Sequence, residues 1–172
     1  GKISFTGSTE VGTGVMQTAA TNITRVSLEL GGKSANVVFD DADLDVAIPK
    51  SLWSVFDNAG QDCCARSRQF VQRGVYERFA KAFVQRAARL VVGPGLRDGT
   101  QMGPLVSRTH AAKVASCIAD GRKAGASVLT GGETAGPNSS FITPTVLTDV
   151  RADMAVVRDE IFGPVVVAQR YD

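Results

Sequence analysis

Two adjacent thiols, Cys63 and Cys64, stand in the stretch Phe56-Asp57-Asn58-Ala59-Gly60-Gln61-Asp62-Cys63-Cys64-Ala65-Arg66-Ser67-Arg68 of a 172-residue chain. The thiolate is the nucleophilic form of cysteine, and it needs partial exposure together with backbone N–H groups or cations such as Arg66 and Arg68. Asp62 acts in the opposite sense, because a neighbouring carboxylate favours the neutral thiol. Two readings stand on residue type alone: a nucleophilic thiol, or two small buried residues. Glu29, ahead of Gly31-Gly32, has the chemistry of a general base and equally that of a solvated carboxylate at a strand end. Gly7 and Ser8 precede a helix, where free N–H groups and the helix dipole favour a phosphate, or form an ordinary turn and cap. Their spacing to Gly12 is not that of a Gly-x-Gly-x-x-Gly loop. Glu160 can accept from two neighbouring hydroxyls at once, or cap a helix in solvent.

The elements that would position these groups alternate. Lys2 to Thr6 reads as a strand, Gly7 to Glu10 as a turn and cap, and the run to about Asn22 as a helix on Val11, Val15 and Ala19. Arg25 to Glu29 and Ala35 to Phe39 read as strands separated by Gly31-Gly32. Asp40 to Asp43 offers caps for a helix from Leu44 to about Val55, bent by Pro49, and the cysteines follow in a polar loop. Gln69 to Gln72 is a strand, and Val75 to Val91 an amphipathic helix with Phe79, Phe83, Ala87 and Leu90 inward. A turn-rich connection runs from Gly93 to Pro104. Thr109 to Ala124 is a helix capped at Ser107 or Thr109, and Ser127 to Thr130 a short strand. Gly131 to Ser140 is loop, Phe141 to Leu147 an extended edge interrupted by Pro144, and Pro164 to Tyr171 the last strand. Strands and helices of these lengths predict an α/β sandwich without internal repeats.

Composition narrows the function classes. At 44% hydrophobic and 21% charged residues the chain can bury a core. A net charge of +2 is too small to draw in nucleic acid or an anionic membrane by electrostatics. No apolar run reaches the length of a membrane span, and the N-terminal residues lack the pattern of a secretory signal. Three cysteines make neither a disulfide framework nor a zinc-ligand spacing, so reduced thiols, a cytoplasmic setting and no metal are expected. Cys117 falls on a helical stripe with Val114 and Ile118 and reads as a small buried residue. His110 reads as a surface residue, Trp53 as a packing residue. The first strand is entered without a preceding turn or cap, as expected of a piece of a longer protein.

Taken together, Glu29-Leu30-Gly31-Gly32-Lys33-Ser34 and the cysteine loop resemble the glutamate and cysteine signatures of the aldehyde dehydrogenase superfamily. The pattern Asn-x-Gly-Gln-x-Cys-x-Ala is met by Asn58, Gly60, Gln61, Cys63 and Ala65, which makes Cys63, not Cys64, the nucleophile. Further matches are Phe5-Thr6-Gly7-Ser8-Thr9-Glu10-Val11-Gly12, Met102-Gly103-Pro104-Leu105 and Glu160-Ile161-Phe162-Gly163-Pro164-Val165. They stand in the family's order across nearly the whole chain.

The resemblance implies oxidation of an aldehyde to a carboxylic acid with NAD, or NADP, through a thiohemiacetal and a thioester on Cys63, with Glu29 activating the hydrolytic water. It places Gly7 and Ser8 beside the pyrophosphate, Leu30 near the nicotinamide, and Glu160 and Phe162 at the nicotinamide ribose and ring. It implies a truncated three-layer α/β/α sandwich, with residues 1–28 the end of the cofactor domain and 29–172 an incomplete catalytic domain. The parent would be a homodimer or homotetramer. The family's oxyanion-hole asparagine and its adenosine-binding residues would lie ahead of Gly1. Two other outcomes are a cofactor-independent thiol esterase using Cys63 and Glu29, and a folded but inert fragment.

Overall fold

The computed structural model describes residues 1–136 and 139–172. The chain packs as two units, Gly1–Gly32 and Lys33–Asp172. In the first, β1 (Lys2–Gly7) and β2 (Arg25–Leu30) are parallel neighbours joined through helix α1 (Thr9–Ala20). Ser8 caps α1 by accepting from the Val11 amide at 3.3 Å. Gly12 and Ala19 are the buried residues of α1, and Gly12 is small because a side chain there would strike Leu30. Val11, expected on the inward stripe, is 52% exposed, and its place is taken by Gly12. Ile23, at a φ of 54°, turns the chain into β2.

The second unit carries a five-stranded sheet in the order β3 (Ala35–Val38), β4 (Arg68–Gln72), β7 (Val165–Tyr171), β6 (Thr145–Thr148), β5 (Ser127–Thr130). All neighbours are parallel except β5, which runs antiparallel to β6. Helices α2 (Leu44–Phe56), α3 (Arg73–Ala87), α4 (Arg108–Lys123) and the short α5 (Ala155–Arg158) cover it. Alternation along the strands assigns the faces. Asn36 of β3 donates to Ser51 of α2 at 2.8 Å, and the Tyr76 hydroxyl of α3 lies 2.7 Å from Thr148 of β6, so α2 and α3 share that side. Leu147 points to the opposite side, where Gly121 of α4 lies against it and against Val156 of α5. Three layers result, the predicted α/β/α sandwich.

Phe56, Phe79 and Phe83 fill the core below α2 and α3, all at most 1% exposed, with the Phe79 and Phe83 rings 5.5 Å apart. The inward stripe of α2 is Ile48, Ser51, Leu52, Val55 and Phe56, at i, i+3, i+4, i+7 and i+8. Trp53 falls off that stripe and is 43% exposed, which corrects its reading as a packing residue. Helix α2 continues through Pro49 to Phe56.

Two elements differ from expectation. Helix α3 ends at Ala87 instead of Val91, because the β-branched pair Val91-Val92 before Gly93-Pro94 pairs with Gln101 and Met102. The Gln101 amide donates to the Val91 carbonyl at 2.8 Å. The stretch Phe141 to Leu147 is not an edge: only Thr145–Thr148 is strand, buried between β7 and β5. Pro144 lies just outside the ladder, its carbonyl against Gly131, where a side chain would collide with it. The edges are β3 and β5.

Candidate active site

In the first unit, the register Thr6 with Glu29 and Gly7 with Leu30 sets four of the candidate residues, Gly7, Ser8, Glu29 and Leu30, side by side at the carboxyl end of a parallel strand pair. Ligands of open parallel sheets bind at that end. Glu29 is exposed and Leu30 half-buried. The Ser8 hydroxyl is occupied with the Val11 amide, and Glu10 adds a negative charge to the first turn. An anion there would therefore rest on backbone N–H groups of Thr9 and Glu10, not on the Ser8 side chain.

In the second unit, three motif segments enter the sheet from one end. Lys33-Ser34 leads into β3, Cys63 to Ser67 into β4, and Glu160 to Pro164 into β7, and these strands are adjacent and parallel. The Arg68 amide donates to the Ser34 carbonyl at 3.2 Å, and the Arg68 guanidinium donates to the Lys33 carbonyl. Gln69, fully buried, accepts from Asn36 at 2.6 Å and donates to the Arg66 carbonyl at 2.8 Å, which fixes where the thiol loop joins β4.

Ahead of the cysteines, the chain passes through a 3-10 turn, Asp57–Gly60, in which Asn58, Ala59 and Gly60 take φ values of 48°, 56° and 70°. Consecutive left-handed residues cost about 1–2 kcal/mol each when they are not glycine. That cost is carried by side-chain bonds. The Asn58 amide group donates to the Gln61 carbonyl at 2.9 Å, and Gln61 donates to Asn58 at 3.0 Å and accepts from the Val106 amide at 2.8 Å. Gly60 lies directly against the Gly163 carbonyl, where no side chain fits.

Both thiols are exposed, so the reading of two small buried residues is overturned. They are not equivalent. The Asp62 carboxylate accepts from the Cys64 amide and from the Cys64 thiol, each at 3.1 Å. That hydrogen bond, and then the charge of Asp62, push the Cys64 thiol above its usual range, while the same contact holds Asp62 below the usual carboxylate range. The Asp62, Cys63 and Cys64 ligand atoms lie within 4.8 Å of one another, a grouping that cysteine spacing did not suggest. The third thiol, Cys117, is half-buried in α4 and is raised by burial first.

Glu160 is half-buried, and its Oε1 is sealed from solvent without a hydrogen-bond partner, an open acceptor that fits a hydroxyl-bearing ligand. Phe162 is 39% exposed and left-handed, at a φ of 56°. His110, read from the sequence as a surface residue, lies 2.6 Å from the Phe162 carbonyl through Nε2, which must donate, and its ring meets the Phe162 ring edge-on at 6.2 Å. Nothing in the local pattern around His110 signalled this long-range contact. Lys33 was also not singled out by its sequence. Burial first, then the Arg68 cation, lower its ammonium to about 8 against the smaller pull of Cys117, Asp159 and Glu160. The cleft of about 460 Å³ beside Tyr76, Thr148, Asp149 and Arg170 holds none of the predicted site residues.

Residues 1–172 match the aldehyde dehydrogenase family, and the chain belongs to it. It is 48% identical over 171 residues to an aldehyde dehydrogenase of Emericella nidulans, covering 99% of this chain and 34% of that protein. A succinate-semialdehyde dehydrogenase [NADP(+)] of Escherichia coli is 46% identical over 170 residues, covering 99% of this chain and 35% of that protein. Among solved structures, the NAD+ complex of the aldehyde dehydrogenase of Bacillus cereus superposes with a TM-score of 0.97 at 46% identity, over 99% of this chain and 35% of that one. The chain spans about a third of the length of these relatives. Among the described residues, no helix is long and apolar enough to cross a membrane. One relative, from Leishmania tarentolae, is named as mitochondrial.

Proposed function

We propose that the full-length protein is an NAD(P)-dependent aldehyde dehydrogenase that converts an aldehyde to a carboxylic acid, with Cys63 as nucleophile and Glu29 as the base of deacylation. The observation that carries the assignment of Cys63 is the asymmetry of the thiol pair. The Cys64 thiol donates to Asp62 at 3.1 Å, which holds its proton, and both thiols stand exposed on a loop fixed by Gln61 and Gln69. The family membership supports the reaction class.

The Cys63 thiolate adds to the aldehyde carbonyl, forming an S–C bond and an oxyanion that needs hydrogen-bond donors. Collapse of the oxyanion expels a hydride, for which a bound NAD(P) would supply the acceptor. Cys63 then holds a thioester. Glu29 takes a proton from water as its oxygen attacks the acyl carbon, the S–C bond breaks, and the carboxylic acid departs; such general-base help is worth about 10²–10⁴-fold. Glu160, with its open acceptor, suits ribose hydroxyls, and Phe162 suits the nicotinamide ring. Gly7, Ser8 and Leu30 at the strand-pair end suit the pyrophosphate and the nicotinamide. In the same reading, residues 1–28 close a cofactor domain and residues 29–172 belong to the catalytic domain.

The test is a set of single substitutions in the full-length protein. Cys63→Ala abolishes NADH formation, while Cys64→Ala keeps most of it; the reverse result would reject the assignment. Glu29→Gln retains one burst of NADH per active site and loses steady turnover. A homodimer or homotetramer in the cytoplasm belongs to this proposal too, and light scattering with cell fractionation decides it.

A further inference from the structure

The thiol loop and the Phe162 segment are linked twice, once directly and once through α4. Gly60 rests against the Gly163 carbonyl. Independently, Gln61 of the thiol loop accepts from the Val106 amide at 2.8 Å and donates to the Pro104 carbonyl at 3.4 Å. Val106 runs straight into Ser107, the N-cap of α4, whose hydroxyl accepts from the His110 amide at 3.1 Å. From that capped first turn the His110 ring donates to the Phe162 carbonyl at 2.6 Å. One turn further along, at i+4, Val114 is fully buried and lies against Gly163, where an added Cβ would come within 2.8 Å of it. The contacts close a ring: Gln61 to Val106, α4 to Phe162-Gly163, and Gly163 back to Gly60.

Phe162 has a reason to need such a hold. It is a bulky residue at a φ of 56° and is 39% exposed, so packing of its own side chain does not enforce the left-handed backbone. We infer that His110 is a positioning residue: its imidazole N–H fixes the Phe162 carbonyl, and with it the direction of the Phe162 ring, relative to the thiol loop. This rests on the proposed role of Phe162 at the nicotinamide. His110 touches no reacting atom, and its effect reaches the cofactor only through the Phe162 backbone.

The full-length protein with His110→Phe keeps an aromatic ring but no donor, and His110→Gln keeps a donor. Two readouts apply. Without cofactor, amide hydrogen exchange across residues 161–165 rises about five-fold in His110→Phe, the value of one lost hydrogen bond, and returns toward wild type in His110→Gln. Exchange at Ile118, further along α4, stays unchanged and shows that the helix is intact. By calorimetry, His110→Phe weakens NAD by about the same five-fold while ADP-ribose, which lacks nicotinamide, binds as in wild type. Unchanged exchange over 161–165 overturns the inference. So does NAD affinity that is lost in Phe162→Ala but kept in His110→Phe, with the reading of Phe162 left standing. NAD affinity unaffected by Phe162→Ala removes the reading of Phe162 and the inference with it.

Discussion

At the scale of single residues, the proton on Cys64 and the proton on Lys33 are the two that the structure controls most visibly. Asp62 accepts from the Cys64 thiol, so Asp62→Asn removes both a hydrogen bond to the neutral thiol and a charge that opposes the thiolate. Alkylation of Cys64 by iodoacetamide near pH 8 then runs faster than in wild type, read by peptide mass spectrometry; an unchanged rate would mean that Asp62 does not set the difference between the thiols. Lys33 works through stability. Burial, and then the Arg68 cation, lower its ammonium to about 8 in the folded chain from the ordinary 10.5. Between those values the unfolded chain binds more protons, so stability rises with pH, and the penalty of the buried charge is complete below pH 8. Lys33→Met removes the penalty. Urea unfolding shows it more stable than wild type by about 1–3 kcal/mol at pH 7, with the gain gone by pH 10.5. A gain that persisted at pH 10.5 would come from packing instead of charge.

The elements show what the amino-acid pattern makes legible and what it hides. Most strands and helices were readable, because apolar runs and caps such as Ser8, Asp43 and Ser107 are local signals. The end of α3 was not, since the apolar period continues past Ala87 while Val91 and Val92 leave the helix for a pairing with a distant segment. Nor was the interior place of β6, which is set by strand order, or the partner of His110, which lies 52 residues away. For the site, the two signature loops were legible as motifs. The convergence of Lys33-Ser34, Cys63 to Ser67 and Glu160 to Pro164 at one end of β3, β4 and β7 needs the sheet order to be known. The 3-10 turn before the cysteines tolerates little change. Gly60→Ala puts a methyl group onto the Gly163 carbonyl at a φ of 70°. It destabilises the full-length protein by about 3 kcal/mol or more and suppresses the NADH burst, measured by urea unfolding and rapid mixing. A loss of the burst at unchanged stability would place the whole effect in the geometry of the thiol loop.

For the molecule as a whole, the buried core is unevenly shared between the two units. Every member of its contiguous core cluster, from Val38 to Val167, belongs to the second unit, Lys33–Asp172. In Gly1–Gly32 the helix α1 buries only Gly12 and Ala19, against a pair of strands. A two-stranded sheet with one helix has too little apolar burial to be more than marginally stable by itself, whereas a unit of the second one's size can carry a cooperative core. Local stability follows burial, and amide exchange measures it directly. In the 172-residue chain, amides of β1, α1 and β2 therefore exchange through low-energy openings, orders of magnitude faster than those of β4, β6 and β7, which open only with the whole second unit. Uniform protection across both would mean that the first unit draws on the second unit's stability, and that Glu29 is held as firmly as Cys63. Two tiers of exchange would mean that Cys63 keeps its fixed loop in this chain while the base proposed to serve it stands on a strand that opens on its own.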